Sequence, residues 1–228
     1  MNGSFHFCDE LIGKFSTVEL NKNLKVILAA PFVFLNYLSN KLIETKLGLD
    51  LAGQDCHVKV HGPYTGDISS VMLKEVGCKY VILGHSERRQ NYTETGQLVK
   101  NKAQIALENG LTPIICIGEK NYVSQKTEVS RQASASIPKN NDGIIIAYEP
   151  IYSVGTGIVP TEDQIASAVK IIKNSAENDI PVIYGGSVTE KNCVEIMNVQ
   201  GISGLLVGNA SLNTKQFINI YNNIKITL

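Results

Sequence analysis

Glu149 closes the apolar run Gly143-Ile144-Ile145-Ile146-Ala147-Tyr148 and is followed at once by Pro150-Ile151-Tyr152-Ser153-Val154-Gly155-Thr156-Gly157. A continuously apolar run reads as a strand covered on both faces, and in α/β proteins the carboxyl ends of such strands face the ligand. A carboxylate placed there is a candidate base. Pro150 forbids helix at Glu149 and fixes the loop's direction, while Gly155 and Gly157 let backbone N–H groups approach an anion with no Cβ in the way. The segment from Pro150 to Pro160 therefore reads as a lid. Taken alone, the same glutamate is more often an ordinary surface residue of a βα loop.

A second candidate lies in Tyr80-Val81-Ile82-Leu83-Gly84-His85-Ser86-Glu87-Arg88-Arg89, where a histidine sits just past a strand and at the start of a helical turn. The N–H groups of a helix start oppose a positive imidazolium. His85 is thus expected to stay neutral and to donate a hydrogen bond to a polarised carbonyl oxygen. The competing reading is a loop histidine that only caps the helix. Two later strand ends are glycine-rich: Tyr184-Gly185-Gly186-Ser187-Val188 and Leu206-Val207-Gly208-Asn209-Ala210-Ser211. Such loops expose backbone N–H groups to a phosphate, and together with Gly155 they would converge on one dianion. Each could equally be a plain tight turn.

The elements that position these residues follow from periodicity. Strands are expected near Leu24 to Ala30, Leu49 to Gln54, Tyr80 to Gly84, Thr112 to Ile117, Gly143 to Glu149, Pro181 to Gly185 and Gly204 to Gly208. Helical patterns lie between them, as in Thr161 to Asn178, where Ile165, Ala168, Val169 and Ile172 share a face and Thr161 to Gln164 form a capping box. Another helix opens near Thr93-Glu94 and aligns Val99, Ala103 and Ala106. Strand-helix alternation implies parallel strands with helical crossovers, in a barrel or a doubly wound sheet. Phe5 to Leu20 reads as a helix with Ser4 as its N-cap, so the chain opens on a helix. A βα barrel closes with eight strands, and only seven are legible.

Composition narrows the function classes. With 228 residues, 43% of them hydrophobic, the chain can bury a large core, and it reads as one domain over residues 1–228. Lys and Arg total 21 and Asp and Glu total 21, so no global charge draws it to nucleic acid or an anionic membrane. Five dispersed cysteines, with no C-x-x-C, argue against a disulfide framework or a zinc site. No segment reads as an export signal or a membrane span, and reduced thiols fit a cytoplasmic protein.

Ala147-Tyr148-Glu149-Pro150 with Gly155-Thr156-Gly157, Gly84-His85-Ser86-Glu87-Arg88-Arg89, Cys116-Ile117-Gly118-Glu119 and Tyr184-Gly185-Gly186-Ser187-Val188, in this order, closely resemble the triosephosphate isomerase family. The resemblance runs from Asn2 to the C-terminal helix. It implies a TIM (β/α)8 barrel lacking its first β-strand in this chain. It also implies interconversion of dihydroxyacetone phosphate and D-glyceraldehyde 3-phosphate, in glycolysis and gluconeogenesis, without metal or organic cofactor. Glu149 would be the base and His85 the neutral electrophile, while the N–H groups of Gly155, Ser187, Gly208 and Asn209 would hold the phosphate. Ser86, Glu87 and Cys116 would be supporting residues, Cys116 as buried packing. His61-Gly62-Pro63-Tyr64-Thr65-Gly66-Asp67 resembles the family's protruding loop, which implies a homodimer with Thr65 near the neighbour's site.

The chemistry suits these residue types. Taking a proton from a carbon beside a carbonyl builds negative charge on oxygen, so a carboxylate base needs a donor at that oxygen, away from bulk water. Lid closure would keep the enediolate from expelling its phosphate.

Some residues depart from the family. Its first strand carries an Asn and a Lys shortly before the Met-Asn-Gly that opens this chain, and the lysine lies near the phosphate and the oxyanion. Loss of one oxyanion donor costs roughly 3 to 4 kcal/mol, which sets up the alternative of an impaired or inactive phosphate-binding dimer, with Glu87 left unpartnered. Asn209 stands where a second glycine is usual and tolerates positive φ. Tyr152 replaces a common tryptophan and adds a hydroxyl in need of a partner. Glu94 reads either as a support for the His85 region or as a solvated helix-start carboxylate.

Overall fold

A computed structural model describes residues 1–176 and 178–227, the last without its side chain. Helices and strands alternate as α1 (Phe5–Ser16), β1 (Ile27–Ala30), α2 (Phe32–Thr45), β2 (Asp50–Gly53), α3 (Ser70–Glu75), β3 (Cys78–Leu83), α4 (Ser86–Asn91) and α5 (Gly96–Glu108). They continue as β4 (Thr112–Ile117), α6 (Gln125–Ser136), β5 (Ile145–Tyr148), α7 (Glu162–Lys173), β6 (Val182–Tyr184), α8 (Cys193–Asn198), β7 (Ile202–Leu205) and α9 (Thr214–Thr227). Among the described residues the strands form one seven-stranded sheet, all parallel, in the order β1-β2-β3-β4-β5-β6-β7. This is the α/β barrel topology expected, curled and with β1 and β7 as its edges.

Alternation along the strands divides the apolar residues between two cores. Val81 and Leu83, with Ile115 and Ile117, face the helices, while Tyr80, Ile82, Ile114 and Cys116 point inside the curl with Ala52 and Ala147. Both faces are covered, which is why these strands read as unbroken apolar runs. Where the sheet ends, α1 and α9 meet outside it. The Phe15 ring packs edge-on against Phe217 and Tyr221, the Asn21 N–H donates to the Tyr221 hydroxyl at 2.7 Å, and Thr214 donates to Glu10. Phe15 is fully buried, a placement that contributes about 2 to 3 kcal/mol.

Local signals set most boundaries. Ser4 caps α1 by accepting from the Phe7 N–H, and Thr161 and Gln164 complete the capping box of α7. Two helices stop earlier than their periodicity suggests, α1 at Ser16 and α7 at Lys173, each closing on a backbone-bonded C-cap residue. The last strand is a correction: it occupies Ile202–Leu205 rather than Gly204 to Gly208. Gly201, at φ +87°, turns the chain into the sheet two residues sooner, and Gly208, at φ −85° and ψ −109°, has already left extended geometry.

Candidate active site

His85 and Glu149 leave the carboxyl ends of β3 and β5, and the end of β4 lies between them. At that crossing β4 continues into Gly118. A Cβ there would sit 1.8 Å from the Glu149 carbonyl oxygen, so only glycine lets the two backbones approach this closely. Gln132 of α6 holds the same point from below: its Nε2 donates to the Gly118 carbonyl at 2.6 Å and its Oε1 accepts from the Gly118 N–H at 3.2 Å. The Glu149 N–H donates to the Ile117 carbonyl at 2.8 Å. The carboxylate is thus aimed by three neighbouring strand ends.

Glu149 is 3% exposed, and both of its oxygens are engaged. Oε2 accepts from the Ser86 N–H at 3.0 Å, and Oε1 lies 2.7 Å from His85 Nε2. His85 is the N-cap of α4, and its Nδ1 accepts from the Glu87 N–H at 3.3 Å. With Nδ1 accepting, the proton of the neutral ring sits on Nε2 and points at Glu149. This tautomer is the one needed to polarise an oxygen.

The charge balance of His85 differs from the expectation. Burial pulls the imidazole down, but the hydrogen bond and the charge of Glu149, with a smaller contribution from Glu87, hold it above its ordinary value. The N–H groups of α4 are local to the ring in sequence, whereas the carboxylate that outweighs them is brought against it by the fold. Glu87 itself is largely exposed, 4.0 Å from His85 Nδ1.

The N–H groups of Gly155, Ser187, Gly208 and Asn209 lie in the loops that follow β5, β6 and β7, and none takes part in a hydrogen bond among the described residues. Gly155 has φ +70°, and a Cβ there would lie 3.7 Å from Asn209 Nδ2, so the lid and the last loop are neighbours. The Ser187 hydroxyl joins them to the middle loop. Its oxygen accepts from the Gly157 N–H at 3.0 Å and donates to the Ser153 carbonyl at 2.6 Å. The Ser153 hydroxyl in turn donates to the Ile158 carbonyl at 2.6 Å and spans the lid's own ends.

Beneath the lid's root, Glu119 is fully buried and burial raises its carboxyl. Tyr148 donates to Glu119 Oε1 at 2.9 Å, and Gln125 Nε2 donates to the Tyr148 hydroxyl at 3.0 Å. Glu119 Oε2 and the Tyr152 hydroxyl are buried without partners among the described residues, as the extra hydroxyl at Tyr152 foreshadowed. Cys116 is buried inside the curl, and burial holds its thiol well above the ordinary range.

Several residues were not singled out from sequence. Arg89 donates through Nε to the Gly84 carbonyl at 2.8 Å and through Nη2 to the Cys116 carbonyl at 3.0 Å, bolting the ends of β3 and β4 together. Gln125 and Gln132 lie on the inward stripe of α6 with Val129, Ala133 and Ser136. Glutamines at core positions of a helix were the legible signal. Glu94 is buried and paired with Arg88 and Lys102, so the solvated reading of it does not hold. Thr65 lies on the exposed 61–67 segment of the loop after β2.

The family model described as triosephosphate isomerase matches residues 1–224. Curated proteins named triosephosphate isomerase are similar along most of their length. That of Wolbachia pipientis wMel is 38% identical over 229 residues, covering 99% of this chain and 91% of the relative. The protein of Mycoplasmopsis pulmonis is 37% identical, covering 96% and 93%. That of Dehalococcoides mccartyi strain BAV1 is 39% identical, covering 89% and 84%.

Proposed function

The chain belongs to the triosephosphate isomerase family, and from that premise we propose that it interconverts dihydroxyacetone phosphate and D-glyceraldehyde 3-phosphate through an enediolate. The observation that carries the reading is the meeting of a buried carboxylate and an Nε2-protonated imidazole at 2.7 Å, with unengaged N–H groups in the loops that follow β5, β6 and β7 at the same end of the sheet. Glu149 turns from His85 and Ser86 and takes a proton from the carbon beside the substrate's carbonyl. His85 gives its Nε2 proton to the carbonyl oxygen as charge builds there and takes up the proton of the neighbouring hydroxyl, so the enediolate's charge passes to the other oxygen. Glu149 then returns its proton to the adjacent carbon, and the deprotonated oxygen becomes the new carbonyl. The N–H groups of Gly155, Ser187, Gly208 and Asn209 hold the phosphate, and the lid from Pro150 to Pro160 excludes water. Each step uses side chains and backbone of this chain alone. Nothing in the comparisons favours the alternative of an inactive phosphate binder.

The wider reading is a single domain over residues 1–228 that works as a cytoplasmic homodimer in glycolysis and gluconeogenesis. One outer core running from Cys8 to Ile224 supports the single domain. The exposed 61–67 segment, with Tyr64 39% exposed and Thr65 beside it, supports the dimer. No helix among the described residues is long and apolar enough to cross a membrane. A coupled isomerase assay on the purified chain tests the proposal. Turnover that disappears in Glu149→Gln supports it, and a folded chain that binds inorganic phosphate without turning over either triose phosphate overturns it.

A further inference from the structure

Helix α4 carries His85 at its start and supplies the Ser86 N–H to Glu149, yet it is six residues long and its one buried residue is Ser86. No apolar side chain fixes it to the core. Its hold on the fold is polar, through Arg89 on one side and Arg88 on the other. Arg88 sits one turn from His85, with its N–H donating to the His85 carbonyl at 2.9 Å. Its guanidinium reaches two carboxylates: Nη2 lies 2.8 Å from Asp55 Oδ2, and Nε lies 2.8 Å from Glu94 Oε1. Lys102 of α5 closes the group, 2.7 Å from Asp55 Oδ1 and 2.6 Å from Glu94 Oε1. The side chains of Asp55, Glu94 and Lys102 are 12%, 2% and 5% exposed.

The cluster contains two carboxylates and two cations, so it is neutral, and it joins the loop after β2 (Asp55) to α4 (Arg88), the α4–α5 link (Glu94) and α5 (Lys102). The two carboxylates share the cations unequally. Burial raises Asp55 despite Lys102, whereas at Glu94 the bonds from Lys102 and Arg88 outweigh burial and lower it. Buried ion pairs contribute little net stability compared with apolar packing of the same volume, but their directional geometry defines a position well.

We propose that Asp55, Glu94 and Lys102 are positioning residues for the isomerase reaction: acting through Arg88, they set the orientation of α4 and thereby the approach of His85 to the substrate oxygen. This rests on the isomerase reading above. The phosphate-holding loops lie on other strands and are outside the cluster.

The test is a charge-balanced pair of substitutions, Arg88→Met with Glu94→Gln, which leaves Asp55 and Lys102 as a neutral pair, together with the single variant Arg88→Lys. Turnover and the nitrogen resonances of the His85 imidazole are measured for both, with inorganic phosphate binding as the control for the rest of the site. The expected result is a loss of about 10- to 100-fold in kcat with KM changed by less than about twofold, and a displaced His85 signal. Arg88→Lys keeps the charge but not the two-pronged grip, and is expected to show a smaller kcat loss in the same direction. Either variant, folded and binding phosphate, with kcat within about twofold of the parent and unmoved imidazole signals overturns the proposal. A parent chain with no isomerase activity would defeat the isomerase reading instead, and the imidazole signals would still report whether the cluster orients His85.

Discussion

The Nε2 atom of His85 and Oε1 of Glu149 lie 2.7 Å apart, so the two groups that the proposed reaction directs at one substrate hold each other. Ser86 and Glu87 enforce the arrangement through their backbone N–H groups, one on the carboxylate and one on the far side of the ring.

Replacing the carboxylate tests the base directly. Glu149→Gln keeps the shape and removes the proton acceptor, and kcat is expected to fall by about 10³-fold, within the range for general-base catalysis. Steady-state assays in both directions of the isomerisation measure it. A loss smaller than about tenfold would show that another group takes the proton.

The His85–Glu149 contact also predicts a pH dependence. Since Glu149 raises His85 above its ordinary value of 6.5, the contact stabilises the fold fully below that value, and this contribution is lost as pH rises through the folded-state value. Imidazolium paired with Glu149 keeps the base occupied, so the acid limb of kcat/KM is expected above pH 6.5. In Glu149→Gln the lowering by burial loses its main opponent, and the imidazole titration followed by NMR should move down. An unmoved titration would contradict this account.

Gly118→Ala places a methyl group 1.8 Å from the Glu149 carbonyl oxygen and 2.4 Å from its carbon. Neither backbone can yield without moving Glu149. A stability loss of about 2 to 4 kcal/mol is expected, with a kcat loss of about 10²-fold in whatever folds. Denaturant unfolding and turnover on the same preparation give both, and parental values for both would refute the close approach.

Ser187→Ala removes the hydroxyl that ties Gly157 and Ser153 together while leaving the Ser187 N–H in place. Each of the two lost bonds is worth about 1 kcal/mol, so kcat/KM should fall by up to about 30-fold through looser lid closure. Inhibition by inorganic phosphate should change much less. If phosphate affinity collapsed as far as turnover, the hydroxyl would have to be assigned to the anion site rather than to the lid.

All five cysteines are buried, and burial pushes the Cys56 thiol up to about 12 and that of Cys78 to about 11. Thiolate is the reactive form, so the native chain should show no fast-reacting thiol at neutral pH, and all five should react after denaturation. A rapid native reaction of Cys116 would mean that the interior of the curl is open to reagent.

The sequence by itself determined the order of strands and helices and the residues at the strand ends. Apolar runs of four to six residues, caps such as Ser4 and Thr161, and positive-φ glycines are properties of a few consecutive residues, so local spacing exposes them. That Glu149, His85, Ser187 and the Gly208 loop come to one end of the sheet was also legible, because parallel strands with helical crossovers send every such loop there. Only the tertiary structure decided what those groups do to one another. Ser86 and Glu149 are 63 residues apart in the chain, and their hydrogen bond depends on β3, β4 and β5 lying side by side with a glycine at the crossing. The same holds for Arg89 on the Cys116 carbonyl and Lys102 on Asp55, 47 residues distant. Electrostatic and steric terms fall off over a few ångströms of space, whatever the separation in sequence. A pattern read along the chain therefore names the groups, and the packing of the sheet sets their charge and reach.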